Sequence, residues 1–314
     1  MNSLSIIFMG TPDFAVRSLD AIISDNYKIK AVITAPDKKS GRGKKINCSE
    51  VKKYALEKNL KLLQPHNLKE ENFINELKSI KADLFVVVAF RMLPKIVWEI
   101  PKFGTINLHA SLLPQLRGAA PIHWAIIKGL QSTGVSTFFI NEKIDFGNII
   151  EQREVEIGNA ENTGNLYQRL KEIGSQLILT TLKQIISGKL ITQKQIESKK
   201  LLKAPKLVKE NTRINWNKSG LEIFNFIRGL SPHPTAWTKS EKTQKTFKLY
   251  NVIYFKEKRS DKLNGIINMN DNLMKISVND GYLKVLELQI EGKKKMSVQE
   301  FINGYKSYNL SKLI

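Results

Sequence analysis

One cysteine, Cys48, stands among 314 residues, so the chain can form no internal disulfide and offers no cysteine-built metal site. Long apolar runs are missing too. The longest, Leu84 to Phe90, falls far short of the roughly 20 residues a membrane-spanning helix needs. Met1 to Gly10 has neither the positively charged start nor the small-residue cleavage site of a secretory signal. These absences predict a soluble protein of a reducing compartment, the cytoplasm, with no membrane partner. Acidic residues are scarce: 29 Asp and Glu face 50 Lys and Arg, a net charge of +21. An excess of that size points to a polyanionic partner, nucleic acid ahead of an anionic membrane surface. Lysine, isoleucine and asparagine are abundant throughout, so part of the excess also fits drift in composition.

What is present suits globular cores. A 42% hydrophobic share is enough to exclude wholesale disorder, and at roughly 150 residues per domain the length predicts about two domains. Short apolar runs at Leu4–Met9, Ile29–Thr34, Asp83–Ala89 and Thr105–His109 alternate with amphipathic stretches at Pro12–Ile23, Lys69–Ile80 and Ala119–Lys128. A polar loop is predicted over Pro36–Asn47, and a long helix over Thr163–Ile186. That alternation predicts an α/β domain over 1–189: an open, mostly parallel, Rossmann-like sheet with helices on both faces. From Lys194 to Lys209 six lysines meet one acid, Glu197, which reads as a basic linker over 190–207. Beyond it, one amphipathic helix at Leu221–Leu230 and several short β runs predict a small OB-like β-barrel over 208–314.

In an open α/β sheet, ligands bind at the carboxyl ends of the strands. The first turn, Gly10-Thr-Pro-Asp-Phe14, holds one glycine and is no G-x-G-x-x-G fingerprint, and no G-x-x-x-x-G-K-[ST] phosphate loop occurs. Dinucleotide and ATP readings are therefore weak. The most polar strand end is Thr105 to Pro114, continuing to Arg117-Gly118. Asn107 and His109 are two apart, so they share one face of a strand. An amide donor beside an imidazole suits stabilisation of an oxyanion, and histidine can carry protons near neutral pH. The alternative is that both merely satisfy backbone at a strand end. Asp145, in the loop Ile140–Gly147, could orient His109 or take a proton through water, or it could be ordinary turn chemistry. His123 and Trp124 read as core or groove residues, and His66 as surface. The basic loop Ser40–Lys45, with glycines beside Arg42, could hold phosphate or be simply solvated.

With those residues laid out, the chain resembles the methionyl-tRNA formyltransferase family, a branch of the folate-dependent formyltransferases. Gly10–Phe14 resembles the family's opening turn, and Gly41–Lys45 its tRNA-contacting loop. Asn107–Pro114 with Arg117–Pro121 resembles the formyltransferase signature. Asp145-x-Gly147 resembles the family's active-site closure, and Leu207–Trp237 the start of its C-terminal domain. The resemblance implies that Asn107, His109 and Asp145 are catalytic. It implies that Ser111, Leu112, Leu113 and Pro114 bind folate, and that Phe90, Arg91, Met92, Leu93 and Ile140 line the pterin pocket. Arg42, Lys44, Lys45 and Lys206 would contact tRNA. The implied co-substrate is 10-formyltetrahydrofolate and the implied acceptor is initiator methionyl-tRNA, with no metal and a monomeric enzyme. The sequence departs from the family pattern at Gln115-Leu116, at Phe146 and at Phe90–Leu93, the last two bearing on pocket shape. The rival readings are a formyltransferase for a sugar-nucleotide or purine-precursor amine, a non-catalytic RNA-binding protein, and a folate hydrolase.

Overall fold

The computed structural model describes residues 4–40, 45–198, 200–258, 263–270, 273–305 and 310–314. The chain divides into two compact units. The first takes residues 1–118, 133–155 and 167–203, and the second takes 119–132, 156–166 and 204–314.

In chain order the first elements are β1 (Ser5–Gly10), α1 (Asp13–Ser24), β2 (Lys28–Ile33), β3 (Lys38–Ser40), β4 (Lys45–Asn47) and α2 (Glu50–Glu57). Then come β5 (Leu62–Leu63), α3 (Glu71–Ile80), β6 (Leu84–Val88), α4 (Lys95–Trp98), β7 (Thr105–His109) and β8 (Arg117–Gly118). They are followed by α5 (Pro121–Ile127), β9 (Ser132–Phe139), β10 (Ile149–Glu156), α6 (Thr163–Ser187) and β11 (Lys203–Ala204). Seven strands form one sheet in the order β10-β9-β7-β6-β1-β2-β5. β1 runs parallel to β2 and β6, β6 parallel to β7, and β9 antiparallel to β7. The mostly parallel sheet is therefore as the sequence predicts. The stretch 36–47, expected to be a loop, contains two short strands, β3 and β4, that pair antiparallel with each other.

Every residue of β6 is buried, which explains its unbroken apolar run: a strand covered on both faces has no water-facing side to alternate with. One face packs Ile7, Met9, Phe85 and Val87 against Phe73, Ile74 and Leu77 of α3. On the other face a side chain at Gly174 of α6 would press within 2.9 Å of Leu108, and one at Gly10 within 2.5 Å of Ala15 in α1. The opening turn is held from α6 as well. Tyr167 Oη accepts from Phe14 N at 3.1 Å and donates to the Asp13 carboxylate, and burial together with that carboxylate raises the phenol's pKa.

The second unit adds α7 (Gly220–Leu230), β12 (Ala236–Lys239), β13 (Thr246–Lys256) and β14 (Ile267–Asn270). After them come β15 (Leu273–Val278), β16 (Gly281–Ile290), β17 (Met296–Ser297) and α8 (Val298–Gly304). Helix α7 starts at a capping box in which Ser219 and Glu222 satisfy each other's backbone N–H groups, an arrangement worth about 1 kcal/mol. Its Ile223, Ile227 and Leu230 join a core with Phe247, Leu249 and Leu288 from the antiparallel sheet β12-β13-β16-β15-β14. The last residues close that sheet. Ile314 N donates to Lys239 O at 2.8 Å on the β12 side, and Leu313 N donates to Gly265 O at 2.8 Å on the β14 side. Both free edges are thereby paired, as in a barrel. No helix among the described residues is long and apolar enough to cross a membrane.

Two outcomes follow for the second unit. Leu313 is 1% exposed, so Leu313→Ala should cost about 2–4 kcal/mol of stability, read by denaturant unfolding. His123 Nε2 faces the His233 carbonyl at 3.0 Å, and desolvation lowers its pKa despite that bond. The folded state then prefers the neutral ring, so stability is fully present above the unfolded value near ~6.5 and is lost as pH falls through the folded pKa. Melting curves between pH 8 and 5 should show this loss in the wild type, and a smaller one in His123→Gln.

Candidate active site

The carboxyl end of β7 carries Asn107 and His109. Parallel register sets Asn107 beside Val87 of β6, and the two-residue period turns His109 to the same face. Asn107 is half-buried, and among the described residues its amide has no hydrogen-bond partner, a state a buried edge tolerates when a ligand completes it. His109 is 6% exposed. Its Nε2 lies 3.0 Å from the Leu116 carbonyl, which can only accept, so the proton sits on Nε2. Its Nδ1 lies 3.8 Å from Asp145 Oδ2, and Gly118 N donates to the same oxygen at 3.0 Å. The fold thus brings Asp145 to His109 across a separation that the sequence leaves open.

The loop holding Asp145 has little freedom. Asp145 takes a left-handed backbone at φ 52°. Two residues on, a Cβ at Gly147 would fall 1.5 Å from the Phe139 carbonyl oxygen. Phe146, one of the departures from the family pattern, lies under the Arg117 guanidinium at 4.2 Å from its ring centroid, with Lys143 Nζ at 4.7 Å, a cation–π arrangement.

The loop 111–116 is framed by side chains from other strands. Ser136 Oγ donates to Ser111 O at 2.6 Å and accepts from Leu113 N at 3.0 Å. Gln152 Nε2 donates to Leu113 O at 3.0 Å and to Ser136 Oγ at 2.7 Å. The Ser111 hydroxyl donates to Gln115 O at 2.6 Å, and Leu113 packs with Phe138 and Ile149. Leu112 packs toward Gly134, and Pro114 follows Leu113, whose N–H and carbonyl are both bonded by Ser136 and Gln152. Phe90 and Ile140 both flank the apolar cluster that contains Leu93. Met92 is 75% exposed. Arg91, after β6, reaches the segment after β5, donating to His66 O at 2.8 Å and to Pro65 O. Around Arg91 and Met92 lies an open groove of about 630 Å³ that His66, Lys69 and Lys95 also line.

Of the residues expected to contact tRNA, Arg42 and Lys44 lie outside the described residues. Lys45 opens β4, and Lys206 is exposed in the second unit. Ser136, Gln152 and Gln195 of this site were not singled out from sequence. Gln195, 8% exposed, reaches the Asp145 loop from within the lysine-rich stretch. A lone amide among lysines carries no sequence signal of that role.

Residues 3–182 match the family model described as "Formyl transferase", and residues 206–306 match "Formyl transferase, C-terminal domain". A methionyl-tRNA formyltransferase of Flavobacterium johnsoniae is 52% identical over 306 residues, covering 97% of each chain. One of Bacteroides fragilis is 44% identical over 310 residues, covering 96% of this chain and 95% of its own. The chain belongs to the methionyl-tRNA formyltransferase family. Among solved structures, a sugar 3N-formyl transferase, WlaRD, crystallised with dTDP and 5-N-formyl-THF, aligns with a TM-score of 0.64 at 21% identity, over 93% of this chain and 99% of its own. HypX from Aquifex aeolicus, in complex with tetrahydrofolic acid, aligns with a TM-score of 0.66 at 18% identity, over 97% of this chain and 48% of its own. At these identities the likeness is one of fold.

In this formyltransferase Gly147→Ala should displace the Asp145 loop. Overpacking against a backbone carbonyl should cost about 3 kcal/mol, and turnover should fall with the melting temperature. Full activity with an unchanged melting curve would mean the loop has room that the geometry denies.

Proposed function

We propose that this enzyme transfers the formyl group of 10-formyltetrahydrofolate to the α-amino nitrogen of methionine on initiator tRNA, acting as a monomer in the cytoplasm. The observation that carries the reading is the placement of His109 between the Leu116 carbonyl and the Asp145 carboxylate, beside Asn107, whose amide has no hydrogen-bond partner among the described residues. The near-full-length relatives supply the acceptor. The residue types fit a folate: Phe90 and Ile140 are partly buried apolar side chains at the border of the core, suited to a flat ring, and loop 111–114 is held by the Ser136 hydroxyl.

When bound, the folate supplies a formyl carbon and an amine leaving group. The acceptor needs little activation, because an α-amino group titrates near ~7.7–8 and its neutral form is present at cellular pH. The protein's part is positioning and charge stabilisation. Asn107 donates an amide N–H to the oxygen that gains negative charge. His109 holds a proton at Nε2 next to loop 111–116, Asp145 faces Nδ1, where a second proton would sit, and the ring can pass a proton to the departing folate amine. Asp145 thereby steadies a charged ring and can accept the amine proton through water. Phosphates of the tRNA would meet Arg42, Lys44, Lys45 and Lys206.

A single-turnover assay with methionylated initiator and elongator tRNA tests this. The initiator tRNA should be formylated in preference, and Asn107→Ala, His109→Ala and Asp145→Ala should each lower the rate by roughly 10²–10³. Arg42→Ala should act mainly on the tRNA KM, and tRNA binding should weaken as salt rises from about 50 to 200 mM. Formylation of a dTDP-amino sugar but of neither tRNA would overturn the proposal.

A further inference from the structure

We infer that Gln195 is a positioning residue for formyl transfer, holding the Asp145 loop so that the carboxylate reaches His109; this rests on the reading above. Every polar valence of its amide is used within one small region. Nε2 donates to Asp145 O at 3.0 Å and to Gly147 O at 2.8 Å, and Oε1 accepts from Arg117 Nε at 3.0 Å and Nη2 at 2.7 Å.

These bonds close a ring of contacts. Arg117 grips Gln195, Gln195 grips the backbone on both sides of Phe146, and the Asp145 carboxylate returns to Gly118 N, the residue after Arg117. The same carboxylate oxygen faces His109 Nδ1. The base of Gln195 is fixed too, because Gln193 and Ile149 exchange backbone hydrogen bonds of 2.8 Å in both directions. A left-handed, non-glycine Asp145 persists only where its surroundings hold it, and Gln195 supplies two of those holds. No other side chain of this size offers two donors and one acceptor in this pattern.

Gln195→Glu separates the roles. It keeps the Arg117 contact as an ion pair, and so the fold, but it loses both donors to the loop. In the full chain this variant should lower kcat about 10- to 100-fold while the tRNA KM changes little. The effect should nearly vanish in an Asp145→Asn background, because residues that act through one another are not additive. Independently of any substrate, the Gly118 amide should exchange its hydrogen faster in Gln195→Glu, since its acceptor is no longer held, while β9 amides keep their protection. The inference is overturned by an unchanged kcat, by a loss of the same size in the Asp145→Asn background, or by unchanged Gly118 exchange. Failure of the wild type to formylate methionyl-tRNA would instead count against the proposed reaction, and the exchange measurement would still decide the role of Gln195.

Discussion

Asp145 Oδ2 lies 3.0 Å from the Gly118 amide and 3.8 Å from His109 Nδ1, and much of the first unit is arranged around keeping it there. The carboxylate stands on a left-handed residue two positions before a glycine that tolerates no Cβ. The imidazole it faces is pinned from behind by the Leu116 carbonyl. Leu116 is fixed in turn, 1% exposed and donating its N–H to Leu202 O at 2.8 Å. Shifting any one of these segments would move one side of the carboxylate–imidazole contact relative to the other. An electrostatic contact of this kind helps a reaction only if it is already in place before charge develops.

The loop after β7 is held at two backbone groups by one hydroxyl from another strand. Ser136, fully buried on β9, donates to one carbonyl of loop 111–116 and accepts from one of its amides and from Gln152. Its one proton and two lone pairs are all engaged. Replacing it with an apolar residue would leave buried backbone groups unpaired, a larger penalty than the bonds themselves contribute. Strands at the antiparallel edge of the sheet therefore shape a loop that follows a parallel strand.

Charge acts on a different scale. With 29 carboxylates against 50 cations, no pairing within the chain can neutralise the surplus of +21. Ion pairs such as Lys95–Glu142 and Lys53–Glu50 are exposed and contribute about 0–1 kcal/mol each. The surplus therefore adds little to the fold. It is available to a polyanion, whose counterions are released on binding.

The β6 run, the two-residue spacing of Asn107 and His109, and the periodic helices were all legible in the sequence, because strand and helix periods are local and core burial obeys them. The chemistry of a strand end was legible for the same reason. Gln195 was not, since its role comes from meeting a loop 50 residues earlier in the chain. Nor were Ser136 and Gln152, polar residues whose partners lie 16 to 39 positions away. The strand pair β3–β4 was not legible either, because three-residue polar strands are too short to show alternation. What the sequence determined by itself was the order of elements and which side chains carry reactive groups. Only the tertiary structure decided which oxygen faces which nitrogen, because that depends on distances closed by contacts far apart in the chain.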